Sequence, residues 1–275
     1  MAAPEPSPDW RVVAVRVGTR DTTRSDVYLN YRLYGEPDGR AVLDYFFWVV
    51  EHAGQVVVVD TGFEEAAARK RDRIFLLHPG DALRQLGVDP RAVADLVVTH
   101  AHYDHIGNVA LFPNARIHMA ASEYRFWTSA SAAHTQFSFY AEDREINQLR
   151  ACEEQGRLCL FKGRSEVAPG IWVEEVGGHT PGQTVVRIKT PTGEVLLTSD
   201  AVHFYEELER DMPFTAVSDL PAMYAAFESI RSDAQTRAVT VVPGHDPGVL
   251  RRFPACPDLP AGSAVVIAPQ AVSPN

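Results

Sequence analysis

The chain has 275 residues, 45% of them hydrophobic, with 36 acidic against 26 Lys and Arg side chains and a formal net charge of −10. That length and apolar content can fill one large αβ core, while the acidic balance argues against a nucleic-acid partner, because a phosphate backbone is bound chiefly by Lys and Arg. No apolar run reaches the roughly 18 residues of a membrane span, and the N-terminus lacks the basic and apolar regions of a secretory signal.

Cys152, Cys159 and Cys256 show no metal-binding spacing and read as free thiols in a reducing, cytoplasmic setting. Residues 1–9 hold three prolines and read as a flexible leader before a single domain over 10–275. Residues 10–17 and 27–33 alternate apolar with polar side chains, as half-buried strands do. Residues 43–50 and 55–60 read as a hairpin closed across 51–54, its second strand apolar on both faces and so central. The basic run 69–73 is interrupted by Asp72 and reads as a solvated helix face. Residues 81–87 have helical spacing, and Asp89-Pro90 opens another short helix.

A strand at 96–99 follows, then a short strand at 115–119 and a helix from Ser122 to about Trp127. His118 lies in the second of these strands and reads as a packed histidine. Residues 129–140 have no period but carry Phe137, Phe139 and Tyr140, which suits a loop over a site and makes these aromatics candidate substrate contacts. Residues 145–154 read as a helix stopped by Gly156. Residues 171–176, 184–189 and 194–199 read as a second sheet. An amphipathic helix at 221–233, capped by Ser218 or Asp219, precedes a final buried strand at 238–242. Strands, helices, strands and helices in that order fit two αβ halves packed sheet on sheet.

The chemistry is concentrated where a β-branched run ends at Thr99. His100, His102, Asp104 and His105 follow within six positions, before Gly107 and Asn108, which can turn the chain. His100 and His102 are two apart, so on an extended backbone their side chains leave one face and can share an ion. Asp104 and His105 lie past the bend and can diverge toward a second. His179, Asp200 and His245 each follow an apolar strand as well, where sheet folds gather functional loops.

This pattern resembles the metallo-β-lactamase superfamily, and the resemblance covers about residues 42–248. It rests on His100-Ala101-His102-Tyr103-Asp104-His105 together with Asp60-Thr61-Gly62, Gly178-His179-Thr180-Pro181-Gly182, Ser199-Asp200-Ala201 and Pro243-Gly244-His245-Asp246, in that order. Within the superfamily the chain is most similar to the quorum-quenching N-acyl homoserine lactonase group, through the Ser-Asp-Ala block, Met212-Pro213-Phe214 and Gly244-His245-Asp246. The resemblance implies an α/β fold, an αββα four-layer sandwich of two sheets flanked by helices. It implies one metal held by His100, His102 and His179, a second held by Asp104, His105 and His245, Asp200 bridging them, and Asp60 orienting the ligands. Imidazole and carboxylate without thiolate suit two zinc ions, with manganese, iron or cobalt also compatible by ligand type.

The activity so implied is hydrolysis of a lactone or related cyclic ester by a hydroxide shared between the metals, with Asp104 protonating the leaving oxygen. Three positions depart from the lactonase pattern. His203 stands where that group has a substrate-positioning tyrosine, and Tyr205 lies two residues on, so both are catalytic candidates. Gln183 replaces a frequent histidine, and the stretch 63–80 is shorter than a lactonase access loop. The same fold also hydrolyses β-lactams, thioesters and aryl esters, which would differ only in the pocket. A mononuclear iron dioxygenase needs fewer ligands, and a non-enzymatic binding protein needs no second metal. The expected partner is a small molecule, with no membrane, and the chain is expected to be a monomer or homodimer.

Overall fold

Strands that bury both faces set the architecture of the computed structural model, which describes residues 9–237 and 239–269. In chain order they are β1 (Arg11–Thr23), β2 (Arg40–His52), β3 (Gln55–Val59), β4 (Ile74–Phe75), β5 (Asp95–Val97), β6 (Arg116–Ala120), β7 (Leu158–Phe161), β8 (Arg164–Ala168), β9 (Ile171–Glu175), β10 (Thr184–Thr190), β11 (Gly193–Ser199), β12 (Val239–Pro243) and β13 (Ala264–Ala268). One sheet has the order β13-β1-β2-β3-β5-β6-β7, with β4 beside β1, and the other β12-β11-β10-β9-β8.

Period-two alternation divides the core into two clusters. Val12, Phe46, Trp48, Val57 and Val97 of the first sheet meet Val173, Val186, Ile188 and Leu197 of the second in a cluster between the sheets. Their neighbours Val13, Phe47, Val58, Leu96, Val185 and Leu196 point the other way, into a cluster shared with Leu83, Leu149, Met223 and Phe227 of the helices. Each buried Val, Leu or Phe contributes roughly 1.5–3 kcal/mol relative to exposure. The result is the helix, sheet, sheet, helix sandwich expected from the sequence.

The expected hairpin is present, but its turn is tighter than residues 51–54. His52 pairs with Gln55, leaving Ala53 (φ 46°) and Gly54 (φ 82°) as a two-residue left-handed turn whose twist matches the strands. The helix Leu220–Thr236 is capped by Asp219, whose side chain accepts from Ala222 N at 3.0 Å. The helix Asp143–Glu154 also falls where its spacing places it.

Residues 27–33 are not a strand. Arg24–Val27 is one helical turn and Tyr31–Tyr34 a 3-10 turn, separated by Asn30 in the left-handed region (φ 50°). Val27, Tyr28 and Tyr31 bury on one side of these turns while Leu33 stays 76% exposed, so the apparent alternation was helical spacing in a short segment. Strands β4, β7, β8 and β13 have no counterpart in the pattern reading. The first is two residues long, β7 and β8 are half-exposed edge strands, and β13 is defined by pairing with the distant β1.

Residues 129–140 fold into a 3-10 turn at Ala130–Ala133 and a short helix at Thr135–Ser138. The basic run is only partly a solvated face, because Arg71 turns inward and keeps 1% side-chain exposure. The leader residues 1–8 lie outside the described residues, as does Ala238 at the start of the last predicted strand. Among the described residues no helix is long and apolar enough to cross a membrane.

Candidate metal centre

Two parallel strand pairs bring the functional loops to one edge. β3 runs parallel to β5 in the first sheet and β11 parallel to β12 in the second, so Asp60, the 99–108 loop, Asp200 and His245 all leave the C-terminal ends of strands. The sheets are stitched there by Thr99 Oγ1 to Ser199 Oγ at 2.9 Å and by Thr184 N donating to Thr99 O at 3.0 Å.

Past β5 the chain bends at Thr99, is extended at His102 and then makes one helical turn, Tyr103–Ile106. The His100 and His102 rings therefore sit together, 4.5 Å between centroids, while Asp104 and His105 swing to the other side. Asp60 fixes this bend by accepting from Thr99 N at 2.9 Å, Thr99 Oγ1 at 2.8 Å and His105 Nδ1 at 2.8 Å. Thr61 N donates to His105 O at 2.7 Å and Gly107 N to Gly62 O at 3.0 Å. Gly107 is required by close approach, since a Cβ there would lie 2.7 Å from Gly62 O and from the Phe63 Cα.

All seven residues expected as ligands converge, in two buried groups: His100, His102, His179 and Asp200; and Asp104, His105 and His245. Asp200 stands between them. Its Oδ2 is 3.3 Å from His179 Nε2 and 3.7 Å from His100 Nε2, and its Oδ1 is 3.3 Å from His105 Nε2 and 3.1 Å from His245 Nε2. Asp104 Oδ2 is 3.6 Å from His105 Nε2 and 3.8 Å from His245 Nε2.

The donor set fits a divalent metal. His105, His179 and His245 each donate from Nδ1 to an oxygen, on Asp60, Ala216 O (2.7 Å) and Asp44 O (2.9 Å), which leaves Nε2 aimed at the centre. His100 Nε2 and His105 Nε2 are buried with no hydrogen-bond partner. His102 instead turns Nδ1 inward, 3.0 Å from His179 Nε2. Burial holds His100 and His179 well below the usual histidine range and brings His102 down to about 3, so these three are neutral.

Burial opposes ionisation of Asp104 and Asp200, but the surrounding histidines outweigh it and keep both carboxylates charged. Burial likewise opposes a charged His105, yet Asp200, Asp60 and Asp104 together hold its pKa well above normal. The centre thus favours positive charge, and a metal must displace the His105 proton, so affinity rises with pH.

Two chambers open onto this centre. A cleft of about 670 Å³ is lined by Asp104, Asp200, His102, His179 and His245, with Tyr45, Tyr103, Arg73, Phe139 and Tyr140 around it. A smaller chamber of about 250 Å³ is lined by Phe126, Trp127, Phe137, Tyr140, Pro181 and Val217, and shares His102 and His179. Phe137, Phe139 and Tyr140 therefore do line the approach to the site, and His102 stacks on Tyr140 at 5.0 Å.

The two substrate-positioning candidates fare differently. His203 is fully buried, stacked on Phe214 at 3.9 Å, with Nε2 3.2 Å from Asp200 Oδ2 and Nδ1 3.4 Å from Glu207 Oε2. Burial opposes its protonation, but Asp200 and Glu207 raise its pKa to about 9. It lines neither chamber and touches Asp200, not open space. Tyr205 is away from the site: its hydroxyl donates to Val241 O at 3.3 Å and Arg252 lies 3.5 Å over its ring. The helix Tyr205–Arg210 begins there, and the Tyr205 ring packs against the cluster between the sheets and lines neither chamber, contrary to the expected place at the substrate.

Four residues with a part in the site carried no local signal. Glu123, fully buried, accepts from Ala101 N at 3.0 Å, Trp127 Nε1 at 2.7 Å and Gly182 N at 2.8 Å, tying the His100 loop to the His179 loop. Glu207 accepts from His203 N and from Phe204 N. Tyr45 packs edge-on against His245 at 5.0 Å, and Arg73 reaches the cleft beside it.

The fold and its buried His and Asp groups together define a metal-dependent hydrolase. The chain belongs to the metallo-β-lactamase superfamily, whose family model matches residues 41–245. An N-acyl homoserine lactonase from a Bacillus species is 25% identical over 252 residues, covering 78% of this chain and 93% of that one. The N-acyl homoserine lactonase AttM of Rhizobium radiobacter is 26% identical over 185 residues, covering 65% and 67%. Among solved structures, a quorum-quenching N-acyl homoserine lactone lactonase superposes with a TM-score of 0.72 at 22% identity, covering 88% of this chain and 93% of that one. AidC, a dizinc quorum-quenching lactonase in complex with a product, superposes at 0.69 and 18% identity, covering 98% and 97%.

Proposed function

We propose that the protein is a dinuclear zinc hydrolase that opens lactones of the N-acyl homoserine type or related cyclic esters. The observation that carries this reading is the Asp200 carboxylate, which lies between two buried ligand groups, 3.3 Å from His179 Nε2 and 3.1 Å from His245 Nε2. His100, His102 and His179 would hold one ion and Asp104, His105 and His245 the other, with Asp200 shared. When bound, such ions polarise a carbonyl and acidify water toward neutrality, supplying a nucleophile at pH 7.

The chain's own groups orient and exclude. Asp60, Ala216 O and Asp44 O hold three imidazoles in the tautomer that binds metal. In the smaller chamber Phe126, Trp127 and Phe137 offer apolar contact to an acyl or alkyl chain, with Gln136, Thr180, Thr215 and Ser218 on the same wall. Asp104, which is ionised and lines the cleft, would accept the proton released by the attacking water and pass it to the leaving alkoxide oxygen. His203 steadies Asp200 from behind. Lactonases among the relatives support the substrate class, and the free thiols of Cys152, Cys159 and Cys256 support a reducing, cytoplasmic location.

Zinc-loaded protein assayed against N-acyl homoserine lactones, simple γ-lactones, a β-lactam, a thioester and a phosphodiester tests this reading. Lactones are expected to give the highest kcat/KM. Turnover of another member of the panel with no lactone opened would replace it.

A further inference from the structure

The cleft carries four cationic side chains, and three of them are already answered. Lys70 and Arg71 pair with Glu142 at 2.9 and 2.6 Å, and Arg20 pairs with Asp26 at 3.6 Å. Arg73 has no carboxylate within 4.0 Å among the described residues. It is half-buried, its Nε is buried without a hydrogen-bond partner, and its one hydrogen bond to the backbone goes to Arg71 O. The Tyr45 and Tyr103 side chains lie beside it, both on the cleft wall next to Asp104 and His245.

Of the carboxylates on the same wall, Asp21 is paired with Arg40 at 2.7 Å and Asp26 with Arg20, while Asp72 is exposed at the rim. Asp104 acts on Arg73 only through space and is committed to the metal group under the proposed function. In a chain of net charge −10, a cleft-lining guanidinium bonded only to the Arg71 carbonyl and the Tyr103 side chain is one to which folding supplies no carboxylate. The smaller chamber, where Phe126, Trp127 and Phe137 offer apolar contact, meets the cleft at His102, His179 and Tyr140.

We propose that Arg73, with the Tyr45 and Tyr103 hydroxyls, forms a carboxylate subsite, and that the preferred substrate carries an apolar chain on one side of the scissile carbonyl and a carboxylate on the other. This rests on the lactone-hydrolase reading and narrows it to amphiphilic, anionic substrates. A single planar guanidinium fork matches the two oxygens of a carboxylate, and the acidic surroundings disfavour a phosphate dianion.

The test uses a γ-butyrolactone bearing one alkyl chain and one ring carboxylate, against the same lactone as its carboxamide, with the zinc-loaded enzyme. Wild type is expected to prefer the carboxylate by about tenfold or more in kcat/KM. Arg73→Gln should bring that ratio to one or below, and Arg73→Lys, which keeps the charge but loses the fork, should retain part of it. No preference in wild type, or a preference that survives Arg73→Gln, overturns the subsite. If neither compound is opened, the lactone reading fails. The subsite is then decided by calorimetric binding of the two ring-opened hydroxy acids, which share the new carboxylate and differ only in the group facing Arg73. Equal affinities in wild type would overturn it, and a carboxylate preference abolished by Arg73→Gln would uphold it.

Discussion

Glu123→Gln isolates the link between the two loops of the first ligand group. Oε1 of Glu123 accepts from Ala101 N and Trp127 Nε1, and Oε2 accepts from Gly182 N. Ala101 lies between His100 and His102, and Gly182 follows His179 by three residues. Glutamine keeps the volume but offers one acceptor and one NH2, so whichever way the amide turns, a donor faces a backbone N–H. The change forfeits at least one charge-assisted hydrogen bond, about 1.5–3 kcal/mol, and leaves a buried donor unsatisfied at about 1–3 kcal/mol. Burial pushes the Glu123 carboxyl above its ordinary pKa, so the neutral amide recovers part of the desolvation cost, and a net loss of about 2–3 kcal/mol is expected.

In a chain of this size that lowers Tm by roughly 5–10 °C. Zinc affinity at the first group should fall about 10–100-fold, the usual effect of removing a group that holds ligands in place. Thermal unfolding by circular dichroism and competition against a zinc chelator read the two effects. Wild-type Tm together with wild-type zinc affinity in Glu123→Gln would refute the reasoning.

Asp200→Ala should bring zinc content below two ions per chain and abolish hydrolysis. His118→Ala should leave zinc content intact and cost about 1 kcal/mol of stability, since His118 pairs with Asp95 at 2.7 Å, away from the site; equal zinc losses in elemental analysis would mean the ligands are misassigned. Burial and then Glu142 push Glu145 up to about 8. Its folded pKa lies above its unfolded one, so the stability it contributes is full below about pH 4.3 and is lost as pH rises through its folded pKa. Glu145→Gln should therefore gain on wild type by about 2–4 kcal/mol between pH 5 and pH 9 in urea unfolding; a difference constant with pH would contradict this.

The residues that converge in the two buried groups were legible in part because four of them, His100, His102, Asp104 and His105, are local, while His179, Asp200 and His245 each stand behind a further apolar strand. Metal-binding residue types stand at short spacing behind apolar strands, and period-two burial on both faces marks those strands as central. What was not legible depends on apposition. Glu123 reads as an acidic residue in the first turn of a helix, and only packing of that helix under two ligand loops makes it a clamp. Tyr45 follows the alternation of β2 like any core aromatic, yet its face of the strand ends at the cleft.

His203 and Tyr205 show the limit of reading a role from a family position. A helix starts at Tyr205, and the two side chains diverge, His203 beside Asp200 and Tyr205 under Arg252. Likewise Arg71 and Arg73 belong to a run that looks solvated, and it is the fold that turns one under the Phe139 carbonyl at 2.8 Å and the other into the cleft.

Lactone-opening activity of metal-stripped protein, followed while zinc is added back in known equivalents, tests the central claim most directly. No activity is expected at zero zinc, followed by a rise through the first and second equivalents and a plateau at two per chain. A plateau at one equivalent, or no ring opening at any loading of folded protein, would contradict it.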